Sequence, residues 1–404
     1  MSATPDLEPL LLGEARSLGS TIQTWRQDLH LCPELGFEER ETTAYLERAV
    51  TDMGLVPVRR TPTGLWVDID PSTSKGTPAG RVLVRADIDG LPVEEATGLP
   101  FASRRPGHMH ACGHDAHMAM ALGAARLLLA RREELPGPVR LLFQPAEEGG
   151  GGARTMIEAG ALEGVTAAVG QHVFAHLPDQ ALPTGRVAIG DGAVMAAADR
   201  LTITIRGRGG HGSMPHLAID TIPVAAQLVT ALQQVVSRQL NPQRPAVLTF
   251  GTIRGGFAAN VIAPETVIEG TIRTFDGETR KALRARVETI SAGTAAAFGA
   301  SAEVVHHDGY PAVVNDARAA AVARAAAVAL LGPEGVVAAD PLMASEDFSY
   351  YAETVPSVFV MLGAGNRAVG ADFANHDPHF TVDEAVLPIG SALLAAAAFR
   401  LFSL

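Results

Sequence analysis

The sequence predicts an α/β protein: a mostly parallel-sheet, three-layer domain interrupted by an inserted ferredoxin-like α+β domain. Two observations carry this. Short apolar runs, Arg81 to Ala86, Val139 to Phe143, Val165 to Gly170 and Val358 to Leu362, alternate with long helical patterns, as expected when helices cover a largely parallel sheet. Between about residues 197 and 308 the pattern changes to strand, helix, strand, strand, helix, strand.

Taken in order, Thr42 to Met53 reads as a helix because Leu46, Ala49, Val50 and Met53 fall on one face at 3.6-residue periodicity. In the insertion, Leu201, Ile203 and Ile205 alternate with Thr202 and Thr204, the pattern of a strand with one wet face. Helices from about Ile219 to Arg238 and from about Glu278 to Phe298 are expected to cover the other face. Stretches containing Pro and Gly, Leu177 to Gly192 and Asp308 to Ala312, serve as hinges. The predicted division is a discontinuous first domain, 1–190 with 309–404, around an insertion at 191–308. Alanine-rich stretches at 294–300, 319–329 and 394–398 are expected to be helical, since Ala is the best helix former.

With 404 residues, 47% hydrophobic and 19% charged, the chain can bury two ordinary cores, which excludes a disordered protein. A formal net charge of −12 argues against nucleic acid, whose binding draws on clustered Lys and Arg, so a small-molecule partner is expected. Met1 to Ser20 carries acidic residues and only the short apolar run Leu10 to Leu12, so no signal segment is expected, and no membrane span is read elsewhere. The two cysteines, Cys32 and Cys112, are far apart in the chain. They predict thiols rather than a disulfide framework, and a reducing cytoplasm as the compartment.

The densest chemical cluster is His110-Ala-Cys112-Gly-His114-Asp115-Ala-His117, placed just before an apolar helical run that begins near Met118. A thiol and several imidazoles at such a junction suit a metal site, although the segment alone also fits a polar loop beside one buried cysteine. Phe143-Gln-Pro-Ala-Glu147-Glu148-Gly-Gly runs an apolar strand into two adjacent carboxylates, at the strand end where α/β proteins gather ligands. Paired acids also suit a solvated turn. Further candidates are Asp87 and Asp89 after one strand, His172 at the end of another, and Asn375-His376-Asp377-Pro378-His379 near the C-terminus. Four such tips with metal-ligand side chains speak against coincidence.

These strings, together with Arg85-Ala-Asp87-Ile-Asp89-Gly-Leu-Pro, Gly209-Gly-His211-Gly-Ser-Met-Pro-His216 and Ser345-Glu346-Asp347-Phe348, resemble the M20 family of metallopeptidases and aminoacylases. More narrowly, they are similar to its amidohydrolase branch, which includes hippurate hydrolases, N-acyl-amino-acid deacetylases and auxin-conjugate hydrolases. The likeness runs in order from His30-Leu-Cys-Pro-Glu to His376-Asp-Pro-His-Phe. It departs at Gly90, where Ala is more usual, and at Ala263-Pro264.

The resemblance implies a metal-dependent amidohydrolase that cuts the amide bond of N-acyl amino acids (acetyl, benzoyl or aryl-acetyl), with metal-bound water as nucleophile. It implies Cys112 as the ligand shared by two divalent ions, with His114 and His172 completing one site and Glu148 and His376 the other. Thiolate and imidazole favour zinc, and manganese, cobalt or nickel also suit this ligand set. By the same resemblance, Glu147 is general base and then general acid, and Asp87 is the carboxylate that orients a ligating histidine. His211 is the oxyanion-stabilising histidine lent by a neighbouring subunit, and Asn260 and Arg273 contact the substrate carboxylate. The insertion then acts as a lid and as the dimerisation domain of a homodimer. His110, His117, His216 and His379 are expected to be structural or outer to the ligands, and Cys32 a small buried hydrophobe. The alternatives are a dipeptidase or carboxypeptidase on the same scaffold, or a catalytically silent metal-binding relative.

Overall fold

The computed structural model describes residues 7–72, 80–177, 182–338 and 340–404. Part of the first expected hinge, 178–181, and the first six residues of the N-terminal stretch lie outside the described residues. The chain forms two compact units, one of Met1–Val194, Val314–Asp340 and Asp347–Leu404, the other of Met195–Val313 with Pro341–Glu346.

The first unit is built on a seven-stranded sheet. Its strands are β1 (Leu65–Ile69), β2 (Arg81–Asp87), β3 (Val139–Gln144), β4 (Val165–Phe174), β5 (Val187–Ala188), β6 (Val336–Val337) and β7 (Ser357–Gly363), in the order β1-β3-β2-β4-β7-β5-β6. The central pairs β3–β2, β2–β4 and β4–β7 are parallel, whereas β1 joins β3 and β5 joins β7 in antiparallel fashion. Helices cover the sheet, as the alternation of apolar runs and helical patterns requires. β3 is buried at every position, which is why its sequence is an apolar run interrupted only by Arg140 and Gln144.

Two largely apolar helices of this unit, buried on nearly every side, sit in its core: His114–Ala130 and Leu387–Leu401. Glu384–Leu401 is long and apolar enough to cross a membrane by composition, with a mean hydropathy of 1.5, but 78% of it is buried inside the protein. Burial on all sides of a core helix accounts for that composition. The helix expected near Met118 begins four residues earlier, at His114, so the metal-type residues occupy its first turn. Gly113, at φ +89°, precedes it in a left-handed conformation, and a Cβ there would come within 2.4 Å of Val173.

The second unit contains a four-stranded antiparallel sheet ordered Ser301–His307, Ala197–Arg206, Glu265–Thr274, Ala246–Gly255. Leu201, Ile203 and Ile205 point into its core and the intervening threonines are half-buried. Helices Thr221–Gln234 and Gly277–Ala297 pack on that core through Val224, Leu228, Leu232, Leu283 and Val287. Asp220 and Asp276 cap them, each side chain accepting a backbone N–H of the first turn.

Candidate metal centre

The carboxyl ends of the parallel strands converge with the start of helix His114–Ala130. Asp87 ends β2, Gln144 ends β3 and leads into Glu147 and Glu148, and His172 lies near the end of β4. The fourth contribution comes from the 375–380 loop, where the His376 N–H donates to Ala111 O at 2.7 Å.

Two groups of ligand atoms, each within 4.8 Å of one another, share one residue: Cys112 with His114 and His172, and Cys112 with Glu148 and His376. Cys112 Sγ lies 3.3 Å from His172 Nε2, and Glu148 Oε1 lies 3.3 Å from His376 Nε2 and 3.8 Å from His114 Nε2. The second nitrogen of each buried imidazole is already committed. His114 Nδ1 donates to Asp89 O at 2.9 Å and His172 Nδ1 to Val173 O at 2.8 Å, which fixes each tautomer and turns Nε2 toward the cluster.

His114 Nε2 and Glu148 Oε1 are buried without hydrogen-bond partners among the described residues. Orphaned atoms at such a convergence fit divalent cations, because a bound ion would satisfy them together. Electrostatics agree. Burial pushes the Cys112 thiol well above its ordinary value, and the nearby Glu148, Glu147 and Asp87 carboxylates push the same way. Burial alone would depress His114, but Asp87, Asp89 and Glu148 outweigh it and push that imidazole up to about 10. The carboxylates around these atoms thus favour positive charge at the cluster.

Asp87 meets a histidine outside the two clusters that share Cys112. Its carboxylate orients His117, not a residue of the shared clusters: His117 Nδ1 donates to Asp87 Oδ1 at 2.6 Å, and His117 Nε2 accepts the Val173 N–H at 3.0 Å. With both nitrogens engaged, His117 has no lone pair left for an ion. The group that orients His114 is Asp89, through its backbone carbonyl and a carboxylate oxygen 3.3 Å away. Asp87 Oδ2 is 3.7 Å from His114 Nε2 and is held by Arg85 Nη1 at 2.7 Å.

Glu147 is buried, and its carboxylate lies within the same 4.8 Å grouping as His114 and Glu148. It follows Ala146, whose φ of +52° is rare for a residue with a side chain. That conformation is held from both sides, by Ala146 N–H donating to Glu39 Oε1 at 2.8 Å and Gly152 N–H donating to Ala146 O at 3.1 Å. Glu148 N–H donates to Asp89 Oδ2 at 2.9 Å, so Asp89 braces both His114 and the acidic loop. Gly90 follows it, and a Cβ there would meet Pro33 Cβ at 2.9 Å, a local reason for glycine in place of the more usual alanine.

Two residues quoted from the sequence only as parts of strings have contacts here that no sequence pattern assigned. Asn375 Nδ2 donates to Cys112 O at 3.2 Å and to Val173 O at 3.3 Å, with Cys112 Sγ at 3.8 Å. Asp347, from the Ser-Glu-Asp-Phe string, donates its N–H to Glu147 Oε1 at 3.3 Å. Only the string itself signalled Asp347.

His211, Asn260 and Arg273 lie in the second unit. His211 pairs with Val261 across the two-stranded ribbon Gly210–His211 and Val261–Ile262, and Gly212 N–H donates to Asn260 O at 2.8 Å, so His211 and Asn260 are neighbours. A Cβ on Gly212 would approach Asn260 O to 2.9 Å, which explains the glycine there. His211 is exposed, its Nδ1 accepting the Ser213 N–H at 3.1 Å. Arg273 is on the strand Glu265–Thr274, half-buried, and donates to Ile272 O at 3.1 Å and to Thr271 Oγ1.

Comparison with known proteins agrees with this geometry. The model of peptidase family M20/M25/M40 matches residues 83–400. N-acetyl-L-cysteine deacetylase of Bacillus subtilis is 44% identical over 93% of this chain and 87% of its own. Thermostable carboxypeptidase 1 of Saccharolobus solfataricus is 36% identical over 96% and 98%. Among solved structures, the Bacillus subtilis YXEP protein, described as a dinuclear metal binding peptidase from the M20 family, superimposes with a TM-score of 0.83 at 36% identity, covering 96% of this chain and 99% of that one. With nearly the whole chain matched and the ligand clusters formed, the protein belongs to peptidase family M20 and is a hydrolase.

Proposed function

We propose that the protein hydrolyses the amide bond of N-acyl amino acids, releasing a free amino acid and a carboxylic acid. The observation that carries this reading is the sharing of Cys112 by two ligand groups beside the buried carboxylate of Glu147. Cys112, His114 and His172 would hold one divalent ion, and Cys112, Glu148 and His376 the other. Zinc suits the thiolate and imidazoles best, with manganese, cobalt and nickel also accommodated. When bound, the ions supply Lewis-acid polarisation of the amide carbonyl and acidify a water nucleophile.

The chain's own groups do the rest. Glu147 takes the proton of the attacking water and delivers it to the amide nitrogen, which leaves only when protonated. Arg273 and Asn260 receive the substrate α-carboxylate, the guanidinium as a planar fork. His211, lent by the second subunit of a homodimer, donates to the developing oxyanion. Support for a dimer through the insertion comes from the edge strand Ala246–Gly255, exposed along its second half, with Ile253 54% exposed and Phe257, in the loop just after it, 81% exposed. The two free thiols, Cys32 and Cys112, support a reducing, cytoplasmic setting.

Likeness to a carboxypeptidase favours one second reading, a dipeptidase or carboxypeptidase on the same scaffold. A hydrolysis screen decides between them. Chelated protein is given back zinc, manganese, cobalt or nickel and offered N-acetyl, N-benzoyl and aryl-acetyl amino acids alongside dipeptides. The proposal expects turnover of the acylated substrates well above that of dipeptides. Preference for dipeptides selects the peptidase reading, and no turnover with any metal selects a silent metal-binding relative.

A further inference from the structure

The Asp347 carboxylate ties together three separate pieces of the first unit. Its Oδ1 accepts from Arg85 Nη2 at 2.8 Å and from Gln144 Nε2 at 3.0 Å, and its Oδ2 accepts from Gln144 Nε2 and from Ala153 N–H, both at 2.9 Å. These donors come from β2, the end of β3 and the start of the helix Gly152–Glu158. Gln144 is fixed in turn, because its Oε1 accepts from Arg85 Nε at 2.8 Å and Tyr351 OH at 3.2 Å. Asp347 and Gln144 are 0% exposed and Arg85 2%.

A fully satisfied buried network of this kind is stiff, since moving any member strands a donor or an acceptor in a medium that cannot replace it. Two of its outputs reach the site. Arg85 Nη1 holds Asp87, and the Asp347 N–H holds Glu147 Oε1. Glu147 precedes a run of glycines, Gly149 to Gly152, and the Asp347 N–H meets its carboxylate from a segment that the network holds in place.

We propose that Asp347 is the positioning residue of the catalytic base: with its carboxylate anchored by Arg85, Gln144 and Ala153, its backbone N–H fixes the direction of the Glu147 carboxylate. The inference rests on the reading of Glu147 as general base. It gives the Ser-Glu-Asp-Phe string a function at its third residue.

The test compares D347N with the unmodified protein, both loaded with two metals per chain, on one N-acyl amino acid. At nearly constant volume, Asn replaces one acceptor with an NH2 facing the Arg85, Gln144 and Ala153 donors, so the anchor slips. The expected result is a fall in kcat of roughly 10- to 100-fold, the scale of a small misplacement of a reacting group, with KM within about twofold and metal content unchanged. In an E147D background, whose shortened carboxylate is withdrawn from the Asp347 N–H, D347N should cost no more than about twofold, because the two act through one contact. A loss in kcat as large in E147D as in the unmodified protein, or a fall in metal content alongside kcat, overturns the proposal and leaves Asp347 a structural tie. If D347N does not fold, Q144M carries the same test. It removes the amide donors while leaving Arg85 on Asp347, and a fall in kcat of about 3- to 10-fold, again absent in E147D, is expected. E147Q separates the two ideas. An active E147Q overturns the base assignment, whereas an inactive E147Q beside a fully active D347N overturns the positioning role alone.

Discussion

Glu39 provides a prediction whose size follows from the structure. The side chain is fully buried, its Oε1 accepts the Ala146 N–H at 2.8 Å, and its Oε2 has no hydrogen-bond partner among the described residues. Burial, reinforced by neighbouring Asp89, pushes its carboxyl from an ordinary 4.5 up to about 7. Below pH 4.5 both folded and unfolded chains hold the proton. Between 4.5 and about 7 the unfolded chain releases it while the folded chain keeps it, so stability falls as pH rises; above about 7 both are ionised and the loss stops. At about 1.4 kcal/mol per pH unit, that window amounts to roughly 3 kcal/mol. Glu39→Gln removes the titration while its carbonyl still accepts the Ala146 N–H. The buried NH2 adds a cost of about 1–3 kcal/mol that does not vary with pH, so the slope and not the offset is the measure. Urea unfolding of both proteins in chelator from pH 4 to 8 should show the stability difference moving by roughly 3 kcal/mol in favour of the Gln variant. A difference constant to within about 1 kcal/mol over that range refutes the account of Glu39 as a buried acid ionised at a cost.

The other predictions concern the site directly. Glu147→Gln should reduce turnover by at least about 10²- to 10⁴-fold while metal content stays near that of the unmodified protein; metal lost together with activity means that Glu147 and Glu148 have exchanged roles. Cys112→Ala should weaken both ions at once, measured by metal analysis after dialysis against a graded chelator, and loss of one ion alone would remove the shared-ligand assignment. Glu147→Ala and His211→Ala, each nearly inactive alone, should recover about a quarter of the unmodified activity after random subunit exchange, since half the dimers are mixed and each carries one intact site. Verified mixed dimers without turnover would place His211 in its own chain's site or in none.

How much of this was legible in the sequence depends on what kind of information each feature needs. The strands were readable because a strand buried on both faces must be a short apolar run, as β3 is. Cys112, His114, Glu148 and His172 were readable as candidates because they sit at strand ends or loop junctions in residue types that metals demand. The start of the helix His114–Ala130 was hidden, because His, Asp and His in its first turn imitate a polar loop until the packing around them is known. The role of Asp87 was hidden for a different reason. Asp87 and Asp89 are two residues apart, where strand periodicity alone would put both on one face, and only the tertiary fold decides which meets His117 and which meets His114. Asp347 meets Glu147 across 200 residues of chain, a separation no local pattern encodes.

Backbone strain identifies the site independently of any ligand assignment. Among the described residues three non-glycine positions have positive φ: Phe37, Ala146 and His376, at 65°, 52° and 72°. Ala146 directly precedes Glu147, His376 belongs to one of the two Cys112 clusters, and a Cβ on Gly150 would lie 2.7 Å from both the Phe37 ring and Ala146 Cβ. Each such position costs of order 1–3 kcal/mol and persists only when its surroundings over-determine it. Here they do: Ala146 is pinned through Glu39 and Gly152, and His376 through Ala111. None of the three is glycine, so the sequence carries no conformational warning at these places. The strain supplies direction that a relaxed loop would not. A left-handed residue reverses the chain within one step, turning the Glu147 and Glu148 side chains and the His376 imidazole toward the Cys112 clusters. Relaxing either turn would move a carboxylate or an imidazole out of the 4.8 Å groupings, and so the folding free energy stored there is the condition for a site rigid enough to keep those groupings together.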